Sequence, residues 1–252
     1  MKGMVWFRRD LRLRDNPALS AACQECQDIV PLFVFDEPLL RSHAFGSACV
    51  GFMLGCLEEL RRSLALHGVS LAWRTGDPVE SVIQAASDFK VDAVYWNRDY
   101  EPAALERDRT VQQRLAQQGR TVRTFKDHVV FEAEEVRGQS GDPFQRYSAY
   151  RDRWWAKWRA AAPPLLGIPS FPPAGKASAS DSREWPSVAD LGYESVPMWI
   201  EPGEQAVHAR LQWFLGGPVH QYVTGRNLPA SDGTSKLSPH LRFGTVSART
   251  LV

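Results

Sequence analysis

Residues 4–19 read MVWFRRDLRLRDNPAL. Met4–Phe7 is an apolar run of strand length, Arg8–Asp10 is a charged turn, and Asp15-Asn16-Pro17 is a helix start. There an amide side chain can cap the first turn, and proline supplies the φ that the first helical position needs. This is the opening of a β–α unit, and the alternation continues outward from it. Ile29–Phe35 is a second strand-length apolar run, and Ser47–Leu66 carries Phe52, Leu57, Leu60 and Leu64 at helical spacing. Ser70–Trp73 reads as strand, Pro78–Phe89 as helix, Ala93–Trp96 as strand, Ala103–Gln118 as a charged surface helix and Thr121–Phe125 as a last strand. Residues 1–130 are therefore expected to form an α/β domain, a five-stranded parallel Rossmann-like sheet with flanking helices and right-handed crossovers. Ligands of such sheets gather at the carboxyl ends of strands. Arg8, Arg9 and Asp10 follow the first strand, and Asn97, Arg98, Asp99, Tyr100 and Glu101 the fourth. They read either as solvated loops with internal ion pairs or as the wall of a cleft.

The period is lost from Lys126 to Pro143, and residues 131–197 are expected to connect two domains. Within them Phe144–Trp158, FQRYSAYRDRWWAKW, mixes aromatics with arginines. Such a mixture can stack on nucleic-acid bases. Tyr147, Tyr150, Trp154 and Trp158 also recur at helical spacing, which favours an amphipathic helix near 144–160 packing an aromatic stripe on its neighbour. Pro163–Pro197, rich in Pro, Ser, Gly and Ala, reads as a connector lying over the surface.

Helical patterning returns over 198–252. Glu201-Pro202-Gly203-Glu204 opens a helix with Ala206, Val207, Leu211 and Phe214 facing inward, and a short helix over Val219–Arg226 sets Tyr222 and Arg226 on one face. Next comes Asp232–Gly244, DGTSKLSPHLRFG. Gly233, Thr234 and Ser235 can present consecutive backbone N–H groups, and Ser238 is expected to cap a helix begun by Pro239, geometry that suits a phosphate. A capped helix after a polar turn also serves stability with no ligand, so local chemistry leaves both readings open. Thr245–Val252 reads as the start of a further helix capped by Ser247. Residues 198–252 alone are too few for a self-sufficient core.

The net charge of +1 over 252 residues excludes whole-molecule attraction to nucleic acid, so any such contact needs a local patch. Cys23, Cys26, Cys49 and Cys56 read as buried free thiols. The Cys23–Cys26 pair closes a helix rather than opening one after a strand, unlike a redox motif. With no signal-like N-terminus and no stretch of membrane-spanning length, the cytoplasm is the expected compartment.

Residues 4–19, together with Tyr222, Arg226 and the TSKLSP of Thr234–Pro239, resemble the DNA photolyase/cryptochrome family. The resemblance covers essentially the whole chain, and it implies that 198–252 begin a helical FAD-binding domain several times longer in the family, so that the chain is the N-terminal portion of such a protein. It implies FAD held by Thr234, Ser235, Lys236, Leu237, Ser238, Pro239 and Leu241, with Tyr222 near the flavin and Arg226 on the DNA backbone. It further implies an antenna chromophore in the α/β domain, with Asp99 and Glu101 lining its pocket and Arg242 adding positive charge. The WNRDYEP segment resembles deazaflavin-binding members, although Cys49 stands where those carry an arginine. Ala103 and Ala104 replace the Asn-Glu pair of folate-binding members, so deazaflavin ranks ahead of folate. Tyr147-Ser148-Ala149-Tyr150 replaces a Phe-Thr-Pro-Phe type segment. The implied activity is light-dependent repair of cyclobutane pyrimidine dimers by electron transfer from photoexcited reduced FAD, in a monomer whose partner is damaged DNA, with no catalytic acid, base or nucleophile and no metal in this chain. A cryptochrome-type photoreceptor and a stand-alone α/β nucleotide-binding module are the alternatives.

Overall fold

Five short apolar runs become the strands β1 (Lys2–Phe7), β2 (Asp28–Asp36), β3 (Ala72–Gly76), β4 (Ala93–Asn97) and β5 (Thr121–Phe125) in a computed structural model. It describes residues 1–138, 141–173 and 184–252. All strand pairs are parallel, in the order β3-β2-β1-β4-β5. The central strand β1 is buried from Gly3 to Phe7, whereas the edge strand β5 is nowhere fully buried, which is why its sequence, TVRTF, is the most polar.

The helices of this half are α1 (Pro17–Glu25), α2 (Glu37–Arg41), α3 (Ser47–Ala65), α4 (Pro78–Asp88) and α5 (Pro102–Gln117). Three begin with the same device, a carboxylate or amide cap followed at once or after one residue by proline. Asn16 accepts from the Leu19 N–H at 3.1 Å, Asp36 from Leu39 at 3.0 Å, and Asp77 from Val79 and Glu80 at 2.9 and 3.0 Å. Two cores result. One packs Phe52, Leu57, Leu60 and Leu64 of α3 and the inner side of α1 against Val5, Phe7 and Phe33. The other packs Val82, Ile83, Val111 and Leu115 of α4 and α5 against Met4, Trp6, Leu32 and Val94.

The third strand lies two residues beyond the expected start, because its register is set by pairing Ala72–Gly76 with Leu32–Asp36. Val69 and Leu71, whose apolar character suggested the earlier start, are buried on the approach to it. The five-residue α2 was not expected, although Asp36-Glu37-Pro38 carries the capping signal found elsewhere.

Beyond the sheet come α6 (Tyr147–Ala160), α7 (Glu204–Gly216), α8 (Tyr222–Gly225) and α9 (Ser238–Phe243). The aromatic stripe of α6 packs only in part. Trp154 and Trp158 stack on one another and meet the Val130, Phe131 and Val136 cluster, but Tyr147 is 76 % exposed. The described parts of the 163–197 connector dock by aromatics: Phe171 stacks on His67, Trp185 sits edge-on to Phe35 and Trp73, and the Tyr193 hydroxyl donates to the Leu40 carbonyl at 2.7 Å. Residues 174–183 of that connector lie outside the described residues. On α7 only Val207 of the four expected inward residues is fully buried. Val219–Arg226 is a 3₁₀ turn, Pro218–Gln221, running into the single turn of α8. The last residues also wind as 3₁₀, over Ala248–Leu251, and Ser247 does cap them.

The chain after 198 is fastened to the sheet by buried polar groups. The Glu204 carboxylate accepts the N–H groups of Leu13 and Arg14 at 2.7 and 3.0 Å, and Glu59 on α3 accepts the N–H of Glu204 at 2.9 Å. Arg12, Asp15, Asp127 and Arg249 form an ion cluster in which every member is at least nine-tenths buried. All four cysteines are free thiols. Cys26 and Cys56 are buried, but Cys23 and Cys49 only half so, because they lie on the rims of their helices.

Candidate functional site

Asp232–Leu237 form a loop organised from outside by Arg210 on α7. The guanidinium grips both carboxylate oxygens of Asp232 at 2.7 Å and donates to the carbonyls of Thr234 at 2.6 Å and Ser235 at 3.0 Å. Lys236 adds a 2.7 Å ion pair to Asp232 and takes a left-handed φ of 54°. With its carbonyls tied to Arg210, the loop leaves the backbone N–H groups of Gly233, Thr234, Ser235, Lys236 and Leu237 without an acceptor among the described residues. Consecutive free donors form an anion nest where they converge on one point. Gly233 packs on the backbone of Gly225, where a Cβ would come within 2.8 Å, so the loop is pressed onto the end of α8.

Thr234, Ser235, Lys236 and Pro239 are half-buried, Ser238 and Leu241 are exposed, and Leu237 is buried with Val207 and Val246. Leu237 therefore anchors the loop in the core. The expected cap is corrected: Ser238 is the first helical residue of α9 and makes no capping bond, while Leu237 occupies the cap position. The left-handed turn at Lys236 brings Leu237 already to helical dihedrals, φ −81° and ψ −6°, so the helix starts one residue earlier than the Ser-Pro pair suggests. Tyr222 and Arg226 share one exposed face, the guanidinium 5.7 Å from the ring centroid, and Phe214 of α7 meets the same ring edge-on.

At the carboxyl ends of β1, β2 and β4 lies a cavity of 580 Å³. Its walls are apolar, with Phe33 and Phe35 of β2, Phe45, Val50 and Met53 at and within α3, and Phe243 of α9. Asp99, Glu101 and Arg242 all line it, and the structure joins them: Arg242 donates to Glu101 at 3.0 Å, and Arg9 pairs with Glu101 at 2.5 Å and with Asp99 at 3.6 Å. Burial pushes the Asp99 carboxyl up, but the N–H of Glu101, His128 and Arg9 outweigh it and leave it below the ordinary range. Ion pairs and cleft wall, two readings at sequence level, are thus the same residues. Cys49 also lines the cavity, its thiol raised by burial.

The six residues of α9 span from the loop to the cavity. Leu237 precedes the helix, and Arg242 and Phe243 end it in the cavity wall, with Leu11 donating to the Phe243 carbonyl at 3.0 Å and Arg9 to the Arg242 carbonyl at 3.2 Å. Gly244 then turns left-handed at φ 62°, and a Cβ there would sit 1.9 Å from the Arg9 carbonyl oxygen. Replacing Gly244 by Ala is expected to cost more than about 2 kcal/mol, read as a lowered denaturant midpoint, because both the dihedral and the backbone contact must yield. His240, on the buried face of α9, bonds Thr245 through Nδ1 at 2.8 Å and leaves Nε2 unpartnered. Burial pushes its pKa down to about 4. The unfolded chain then binds a proton near pH 6.5 that the folded chain refuses, so this contribution to stability is complete above that pH and falls as pH drops toward 4, by up to about 3 kcal/mol. Urea titrations of the parent and His240→Gln between those limits should diverge accordingly.

Sequence reasoning missed Arg210, which lies 22 residues from Asp232 and carries no local signal. It also missed the apolar walls, Phe45, Met53 and Phe243, which read simply as core. No group of three or more His, Cys, Asp or Glu side chains able to hold a metal occurs among the described residues, and no helix there is long and apolar enough to cross a membrane.

The sequence profile of the DNA photolyase family matches residues 4–169. The chain is 33 % identical, over 98 % of its length, to a deoxyribodipyrimidine photo-lyase of Synechococcus, of which it covers 52 %. It is also 33 % identical to cryptochrome-1 of Arabidopsis thaliana, over 98 % of this chain and 36 % of that one. Its fold superposes on a class III photolyase from Agrobacterium tumefaciens with a TM-score of 0.80 at 28 % identity, over 99 % of this chain and 52 % of that one. It thus spans about half the length of the photolyases it matches. A parallel sheet with a cleft at its carboxyl ends, a nest-forming loop held against it by α9, and a family profile covering most of the sheet and connector converge: this chain belongs to the DNA photolyase/cryptochrome family.

Proposed function

We propose that the protein to which this chain belongs repairs cyclobutane pyrimidine dimers in DNA in the light, and that residues 1–130, 131–197 and 198–252 are its antenna domain, its connector and the beginning of its FAD-binding domain. The observation that carries the reading is the row of unpartnered N–H groups from Gly233 to Leu237, aligned by Arg210. It fits the diphosphate of FAD, the cofactor of photolyases of this family. Thr234, Ser235 and Lys236 hold the phosphates, the exposed Ser238 hydroxyl and Leu241 meet the ribityl chain, Pro239 sets the helix start beneath it, and Tyr222 packs beside the ring. Arg226, which has no carboxylate partner among the described residues, binds a DNA phosphate. Bound FAD supplies the light-driven electron donor. The chain's own residues bind and orient, and none is required to move a proton.

The cavity beside β2 takes a flat antenna chromophore. Its aromatic walls suit a ring system, the Arg9, Glu101 and Arg242 cluster at its rim suits a polar edge, and the resemblance of WNRDYEP to deazaflavin-binding members, with Ala103-Ala104 in place of the folate pair, ranks a deazaflavin ahead of a folate. Four free thiols fit a reducing cytoplasm. A cryptochrome-type photoreceptor is the second reading, carried by equal identity to a photolyase and to a cryptochrome. The visible spectrum of the purified chain, with the chromophore released on denaturation identified, tests the cofactor assignment. Bound FAD supports it, and a whole protein that refuses added FAD overturns it. Light-dependent loss of dimers from ultraviolet-treated DNA by the whole protein separates repair from signalling.

A further inference from the structure

The helix α6 is attached along one stripe of one half. Trp154 and Trp158 pack on the Phe131 cluster, Lys157 donates to the Glu135 carbonyl at 2.9 Å, and no residue of the helix is buried. By helical period Tyr147 and Tyr150 continue the tryptophan face toward the N-terminus, where Phe144 meets only the Tyr150 ring, edge-on, and Tyr147 is 76 % exposed. Arg146 and Arg153 flank the two rings on one side and Arg151 on the other. Arg146 and Arg153 have no carboxylate partner among the described residues, and Arg151 meets only its exposed neighbour Asp152. The helix carries four cations, Arg151, Arg153, Lys157 and Arg159, against that single carboxylate, in a chain whose net charge is only +1.

We propose that the N-terminal half of α6 is a contact surface for single-stranded nucleic acid, formed by residues other than the Tyr222–Arg226 pair and independent of the flavin reading. Two aromatic rings one helical turn apart, bordered by Arg146 and Arg153 without carboxylate partners among the described residues and by the exposed Arg151–Asp152 pair, offer stacking to unstacked bases and charge to the phosphates between them. A membrane surface is the competing occupant for a basic aromatic helix. Interfacial binding needs a free apolar face, and the tryptophans that would supply it, Trp154 and Trp158, already pack on the Phe131 cluster. Stacked bases in a duplex would not expose their faces to the tyrosines, which selects the single strand.

The test is the fluorescence anisotropy of a labelled, undamaged oligothymidylate titrated with the 252-residue chain at several salt concentrations. The combined variant Arg146→Ala, Arg151→Ala, Arg153→Ala is expected to bind about tenfold or more weakly in low salt, with the slope of log affinity against log salt reduced by about 2. Tyr147→Ala with Tyr150→Ala should weaken binding about fivefold or more at an unchanged salt slope, and the corresponding Phe variants should restore it. Near-ultraviolet circular dichroism of these exposed-site variants verifies that the fold is retained. Failure of the parent chain to bind, or equal binding by both Ala variants, overturns the proposal. So does a loss seen with phosphatidylglycerol vesicles and not with the oligonucleotide. A chain that binds the oligonucleotide but no flavin leaves this surface standing, because none of the α6 residues belongs to the proposed flavin site.

Discussion

Asp127→Ala is expected to destabilise the chain by about 3–5 kcal/mol, lowering its thermal midpoint by roughly 10 °C or more. Asp127 is 1 % exposed and accepts from Arg12 at 2.5 Å and from Arg249 at 2.8 Å. Arg249 also reaches Asp15 at 2.9 Å, and both guanidiniums donate to the Asp15 carbonyl. Three segments far apart in the chain, around residues 12–15, 127 and 249, thereby share one buried charge cluster. Taking away the central carboxylate leaves two buried cations facing one acid, and the penalty is that of an uncompensated charge rather than of a lost hydrogen bond. Asp127→Asn should be nearly as harmful, since it keeps the shape and loses the charge. Acid acts on the same cluster. Burial pushes the Asp127 carboxyl up, but Arg12 and Arg249 outweigh it and hold it below the ordinary value. Its stabilising contribution is therefore complete above the unfolded pKa, near 3.8, and is lost as pH falls through the lower folded value. Chemical denaturation of parent and variants at neutral and acid pH measures both effects, and an Asp127→Ala chain of parental stability would show that the cluster contributes nothing.

Arg210→Met is expected to weaken FAD binding at least tenfold, about 1.4 kcal/mol, with a smaller effect on global stability. The guanidinium is half-buried, lies 3.8 Å from the centroid of the exposed Trp213 ring, and makes four bonds to the loop. Without it the carbonyls of Thr234 and Ser235 are free to rotate into the nest, and Asp232, now paired with Lys236 alone, presents uncompensated negative charge to the phosphates. The pairs with Arg210 and Lys236 hold the Asp232 carboxyl far below its usual range, as expected of a fully ionised partner. Arg210→Lys separates the two contributions, because it keeps a charge for Asp232 but cannot fork to the carboxylate and two carbonyls at once. Its affinity should fall between parent and Met variant. Titration of flavin fluorescence with each chain gives the result, and undiminished binding by Arg210→Met would remove this loop from the FAD site.

Much of this molecule is legible residue by residue. The strand and helix alternation of residues 2–125 follows from the period of apolar side chains, and the helix starts at Asn16, Asp36 and Asp77 follow from a capping side chain beside a proline. Both are rules of a few bonds' reach, which the chain obeys wherever it lies. The candidate sites are legible only as residue types. Tyr222 and Arg226 meet because one helical turn separates them, but Arg242 meets Glu101 across 141 residues and Arg210 meets Asp232 across 22.

Where local and long-range demands compete, the second prevails. β3 starts at Ala72 because β2 dictates its register, although Val69–Leu71 has the stronger strand character. Ser238 loses the cap because Leu237 is drawn into the core with Val207 and Val246, and the turn at Lys236 follows from that burial. The stripe on α6 divides into a packed half and an open half because the patch formed by Val130, Phe131 and Val136 is only long enough for two tryptophans. Periodicity, propensity and capping, which act along the chain, thus settled the elements and their order. The cleft, the nest and the buried charge cluster depend on which surfaces meet and exclude water, and that was decided only when the elements packed.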